Sequence, residues 1–104
     1  MPIRVIHGRQ IAAARALANV SARDLAAASG VTARTVGRLE DDGTIVISPR
    51  LRHGHVSRAT FDKIKDALAR YGVELLPESA DHGGGVRWIR PSTERLQVQQ
   101  TEQG

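Results

Sequence analysis

Arg34 and Arg38 stand four residues apart, a spacing that places two side chains on one face of a helix. A guanidinium on such a face can bond the O6 and N7 of a guanine bidentately, and a side chain as short as that of Ala33 can touch a thymine methyl. With Thr32 these make four candidate base readers: Thr32, Ala33, Arg34 and Arg38. Thr35 has two uses open to it, a bond to a phosphate or a bond back to its own helix. Arg23, Arg50, Arg52 and Arg58 are the further candidates for phosphate contact, the expected use of basic side chains beside a reading helix. Gly37 is unexpected among them, since glycine inside a helix costs about 1 kcal/mol relative to alanine. It either lets the backbone come close to a ligand or marks a less specific surface.

Other chemistry is poorly supplied. Asp41, Asp42, His53 and His55 can be drawn as an acid and base set, but no nucleophile, phosphate-binding loop or complete ligand set accompanies them. His53 and His55 lack a third metal ligand of suitable type, and the chain has no cysteine. No catalytic residue, metal or cofactor is expected.

The elements that must position the arginines lie in the run 21–40. Ser21 with Asp24 three residues on reads as an N-cap followed by an acid in the first helical turn. Leu25, Ala26 and Ser29 then fall on one side of a helix, and Gly30 supplies the left-handed residue that ends it. Val31 fills the corner and Thr32 caps a second helix, whose Val36 and Leu39 face inward. Thr32, Ala33, Arg34, Thr35, Gly37 and Arg38 are left facing outward, two arginines with no acid. Two short helices and one tight turn make a helix-turn-helix, whose second helix is the right size for a DNA major groove.

Here the chain resembles the lambda-repressor-like, or XRE/Cro, family of DNA-binding domains. The matching residues are the Ser21 cap, Leu25-Ala26, Gly30-Val31-Thr32, Thr35-Val36 and Leu39-Glu40, and the resemblance runs from about Ile6 to Leu76. It implies a mostly α fold, a bundle of about four helices with a small C-terminal β-hairpin or dimerisation strands. It also implies an ion pair between Arg15 on the first helix and Glu40 at the end of the reading helix. One departure is Ala22, where the family often carries a glutamine against the DNA backbone.

The rest of the chain fits around this unit. Pro2 to Ile6 is an extended lead-in too short to count as a strand, and Gly8 to Ala18 is an alanine-rich first helix with Ile11, Ala14 and Leu17 inward. Ile6 can staple onto Ile11, with His7 in the cap position and Gln10 third in the helix. Residues 43–57 form a basic loop in which Ile45 to Ile47 either make a small strand or cover the core, Arg58 to Tyr71 is a closing helix with Phe61, Ile64, Leu68 and Tyr71 inward, and its polar face, Arg70 included, is solvated. A β element follows over 73–90, in which Val73, Leu75, Val86 and Trp88 share a face. In proteins of the resembling kind such strands pair with a second copy; equally, they can cover the bundle. Residues 91–104, rich in Gln, Glu, Ser and Thr, read as a disordered tail.

Charge is unevenly placed. Residues 1–60 hold nine arginines against four acids, whereas 61–104 hold six basic residues against seven acids. The excess base of this +4 chain thus lies in the helix-turn-helix half, which suits a polyanion. No apolar run is long enough to cross a membrane and the first residues do not resemble a signal sequence, so a cytoplasmic protein is expected. Taken together, the expectation is one DNA-binding domain over 1–72 with its β appendage, reading double-stranded DNA as a homodimeric transcriptional regulator. The alternative is an interaction module, such as an antitoxin or antiactivator, whose C-terminal strands hold a toxin or activator as protein partner.

Overall fold

The computed structural model describes residues 5–41, 43–48 and 55–91. Along them run β1 (Val5–His7), α1 (Gly8–Ala18), α2 (Ala22–Ser29), α3 (Ala33–Asp41), β2 (Thr44–Ser48), β3 (His55–Ser57), α4 (Arg58–Arg70), β4 (Val73–Leu76) and β5 (Gly85–Trp88). The fold is mostly helical, with four helices among the described residues and a C-terminal antiparallel hairpin, as expected.

The helix ends follow from local chemistry. At the start of α1 the His7 Nδ1 accepts the Arg9 N–H at 3.2 Å, while Gln10 Oε1 accepts the His7 N–H at 2.8 Å, a reciprocal capping box. Asn19 ends that helix in the left-handed region at φ 58°. Ser21 Oγ accepts the Asp24 N–H at 3.0 Å to open α2, and Gly30 closes it at φ 76°. Thr32 Oγ1 accepts the Thr35 N–H at 3.1 Å, which starts α3.

Packing then joins what the caps define. Ile11 and Ala14 of α1, Leu25 and Ala26 of α2, Val36 and Leu39 of α3, and Phe61, Ile64, Ala67 and Leu68 of α4 form one buried cluster with Val20 and Val73. Each of the larger side chains contributes on the order of 1.5–3 kcal/mol by leaving water. The inward stripe of α4 differs from expectation at its end. Tyr71 lies beyond the helix and is 38% exposed, while Ala67 takes the buried position.

The larger departure is a second sheet. The lead-in expected to be extended without pairing is the strand β1; in the basic loop the small strand over Ile45 to Ile47 is present as β2, and β3 is unexpected. These three strands form a sheet in the order β1-β2-β3, antiparallel between the first two and parallel between the last two. Ile6 faces Ile45 across the ladder and both are buried in the core. The Gly8 N–H continues the pairing to the Gly43 carbonyl at 3.2 Å. A three-residue strand is invisible locally because its partner lies almost forty residues away.

In the hairpin, Val73 faces Trp88 and Leu75 faces Val86. Val73 is fully buried, and Leu75, Val86 and Trp88 pack half-buried against the same core. Of the two uses expected of this face, pairing with a second copy or covering the bundle, the single chain shows the second. Glu74 and Arg87 pair across the opposite, solvent face at 2.5 Å. Among the described residues no helix is long and apolar enough to cross a membrane.

Candidate nucleic-acid interface

The helix α3 divides cleanly by face. Val36 and Leu39 are buried, while Thr32, Ala33, Arg34 and Arg38 are exposed. Neither Arg34 nor Arg38 has an ion-pair partner among the described residues. Among the described residues, then, no carboxylate takes up the donors of either guanidinium. The helix runs on to Asp41, so an exposed carboxylate closes the far end of this otherwise basic face.

Thr35 has a local partner. Its hydroxyl lies 2.9 Å from that of Thr32 while its own N–H is capped by the same Thr32 oxygen. Arg23, in the first turn of α2, and Arg58, opening α4, are both exposed. Arg50 and Arg52, with Asp42 and His53, lie outside the described residues. So do residues 92–104, almost all of the expected tail. Among the described residues no three His, Asp or Glu side chains gather as a metal-holding group.

The pair implied between Arg15 and Glu40 is present and two-pronged, with Arg15 Nε to Glu40 Oε2 at 2.6 Å and Nη2 to Oε1 at 2.8 Å. A third bond from Arg15 Nη1 reaches the Val20 carbonyl at 3.1 Å. Fork-to-fork pairing fixes direction as well as distance, so the end of α3 is tied to α1 in one orientation. Side-chain exposures of 22% and 12% put the pair at the edge of the core. The hydrogen bond to Glu40 raises the Arg15 pKa above its ordinary value, against an opposing pull from burial. Arginine is thus held charged across the whole neutral range, and its share of stability would be lost only as pH rises beyond that already high value.

Gly37 is not required by the protein's own packing. A Cβ there would meet nothing within 4 Å, and its φ lies outside the left-handed region. The missing side chain leaves a low strip on α3 beside Arg34 and Arg38.

Two residues carry more than their sequence context conveyed. Gln10, read as a capping residue, also donates from Nε2 to the carbonyls of Leu76 at 2.9 Å and Gly85 at 3.0 Å. It is a buried polar side chain placed next to Ile11, which was the available signal that it must have partners. Arg70, expected to be solvated, bonds a carbonyl of α2. A cleft of about 350 Å³ lies beside Gln10 between the start of α1 and the hairpin, lined by His7, Arg9, Ala13 and Glu78 with the glycines Gly84 and Gly85. None of the expected reading residues lines it; of the hairpin residues expected to share a face, Val86 alone does.

No protein-family model matches the chain, and no curated protein matches it. The interface is therefore read from its own geometry.

Proposed function

We propose that this protein is a sequence-specific duplex-DNA-binding regulator of the lambda-repressor-like kind, with α3 in the major groove. Thr32, Ala33, Arg34 and Arg38 read bases, while Arg23 and Arg58 lie against the phosphate backbone. It acts in the cytoplasm on transcription, most simply as a repressor that occludes a promoter. No catalytic step and no cofactor enter this reading. The observation that carries it is the face of α3, where two exposed arginines with no ion-pair partner among the described residues and two short side chains project from a helix held at its end by the Arg15–Glu40 fork.

A homodimer would match two half-sites of an operator. The inward face of the hairpin already packs on the bundle, with Leu75, Val86 and Trp88 half-buried, which favours the outer part of the same region for self-association. Tyr71 and Ile89, 38% and 46% exposed, are the exposed large hydrophobic residues among the described residues, and the Ile89 N–H bonds the Gly72 carbonyl there. The interaction-module alternative rests on the same hairpin, whereas the basic face of α3 supports DNA reading independently of it.

The test is fluorescence anisotropy on labelled DNA from upstream of the protein's own gene, against scrambled DNA, across a series of salt concentrations. Expected is tight, sequence-dependent binding that weakens steeply with salt. Arg34→Ala and Arg38→Ala should each lose about 1–3 kcal/mol of discrimination with little change in folding. Weak binding that ignores sequence would overturn the reading in favour of a protein partner.

A further inference from the structure

The turn that aims α3 is held from a direction that the helix-turn-helix sequence does not contain. The last carbonyls of any helix have no donor within the helix and must find one elsewhere. In α2 the Ala26 carbonyl accepts both the Gly30 N–H at 2.9 Å and the Ser29 hydroxyl at 3.2 Å. The Ala28 carbonyl instead accepts Arg70 Nη2 at 2.6 Å, a bond spanning 42 residues from the last turn of α4.

Two further facts give this bond a purpose. The final turn of α2 has no basic residue of its own, so Arg70 supplies the positive charge that the negative end of a helix favours. Ala28 also stands immediately before the reversal, two residues ahead of Gly30 at φ 76° and four ahead of the Thr32 cap of α3. Fixing that carbonyl fixes the departure of the chain into the turn. At the other end of α3 the Arg15 fork holds Glu40. The reading helix is thus suspended between two guanidinium-held points, one on α1 and one on α4. Arg70 itself is exposed, so its aliphatic stem does not belong to the core.

Resting on the DNA-reading function proposed above, we propose that Arg70 is a positioning residue for α3, acting through the Ala28 carbonyl rather than by touching DNA. A planar guanidinium suits this task, because it holds the carbonyl in a set direction where a lysine offers only a point charge.

The experiment compares wild type, Arg70→Met and Arg70→Lys, all well below their melting transitions, by two readouts. The first is the free protein: the amide NMR shifts of Gly30 and Thr32 to Arg34 should move in Arg70→Met and return part of the way in Arg70→Lys. The second is the anisotropy titration on upstream DNA. Arg70→Met should bind about tenfold more weakly, the scale of one lost hydrogen bond to a charged group. Its dependence on salt should be unchanged, because no phosphate contact is lost.

Unmoved amide shifts would overturn the proposal, as would wild-type affinity in Arg70→Met. A salt dependence reduced by about one ion would also overturn it, since Arg70 would then be gripping a phosphate directly. The failure of the DNA reading looks different: wild type itself would not distinguish upstream from scrambled DNA. In that case the shifts in the free protein still decide whether Arg70 sets the position of α3.

Discussion

The α2–α3 unit and the β4–β5 hairpin are held by opposite means. In the first, nearly every defining bond is local: Ser21 to Asp24, Thr32 to Thr35, and the left-handed Gly30 between them. In the second, the decisive bonds come from the far end of the chain, where Gln10 Nε2 ties the carbonyls of Leu76 and Gly85, which face each other at one end of the ladder. A local cap forms whatever the rest of the chain does, but a tie across some seventy residues exists only once the bundle has closed. The proposed reading face therefore sits on the one of these two units whose caps and turn are set by near neighbours. Ties from outside the unit also exist, since Arg15 of α1 bonds Glu40 of α3 and Arg70 of α4 bonds the Ala28 carbonyl of α2.

If this contrast holds, Glu40→Ala should have the largest effect. It strands the Arg15 guanidinium at the edge of the core and should cost about 3 kcal/mol in urea denaturation. A curve unchanged from wild type would show the fork to be merely a surface pair.

Gln10→Ala comes next and tests the hairpin side. It removes a side chain bonded at three points and should destabilise by about 2 kcal/mol, with hydrogen-exchange protection lost first over β4 and β5 and retained in α2 and α3. Gly84 sharpens the same point, since a Cβ there would lie 2.5 Å from Gln10 Oε1. Gly84→Ala should therefore destabilise wild type but do almost nothing in the Gln10→Ala background, a coupling that a double-mutant cycle reads directly.

Gly37→Ala should act in the other direction. With open space around the new methyl, it should raise stability by about 1 kcal/mol in a thermal melt. DNA affinity should fall at the same time if the bare strip is where the backbone nears the groove. A variant that is more stable and binds equally well would remove that role from Gly37.

The smallest effect belongs to the solvent face of the hairpin. Glu74 and Arg87 are 37% and 63% exposed, and Glu74→Gln should change stability by no more than about 0.5 kcal/mol. A loss above that in high-salt denaturation would mean that the pair organises the strands rather than decorating them.

What the sequence determined by itself was whatever depends on near neighbours. The caps at Ser21 and Thr32, the turn at Gly30, the inward pairs Leu25-Ala26 and Val36-Leu39, and the outward arginines were all legible, because helix periodicity and capping act over three or four residues. The Arg15–Glu40 pair was legible only through resemblance to a known family, since nothing within either helix points to the other. Tertiary structure alone decided the rest. It made a strand of Val5–His7 by supplying β2 and turned the hairpin's apolar face onto the bundle. It also brought Tyr71 to the surface and gave Gln10 and Arg70 carbonyls to hold. Short strands and lone polar side chains have no periodicity of their own; their state is set by which partner the folded chain delivers to them.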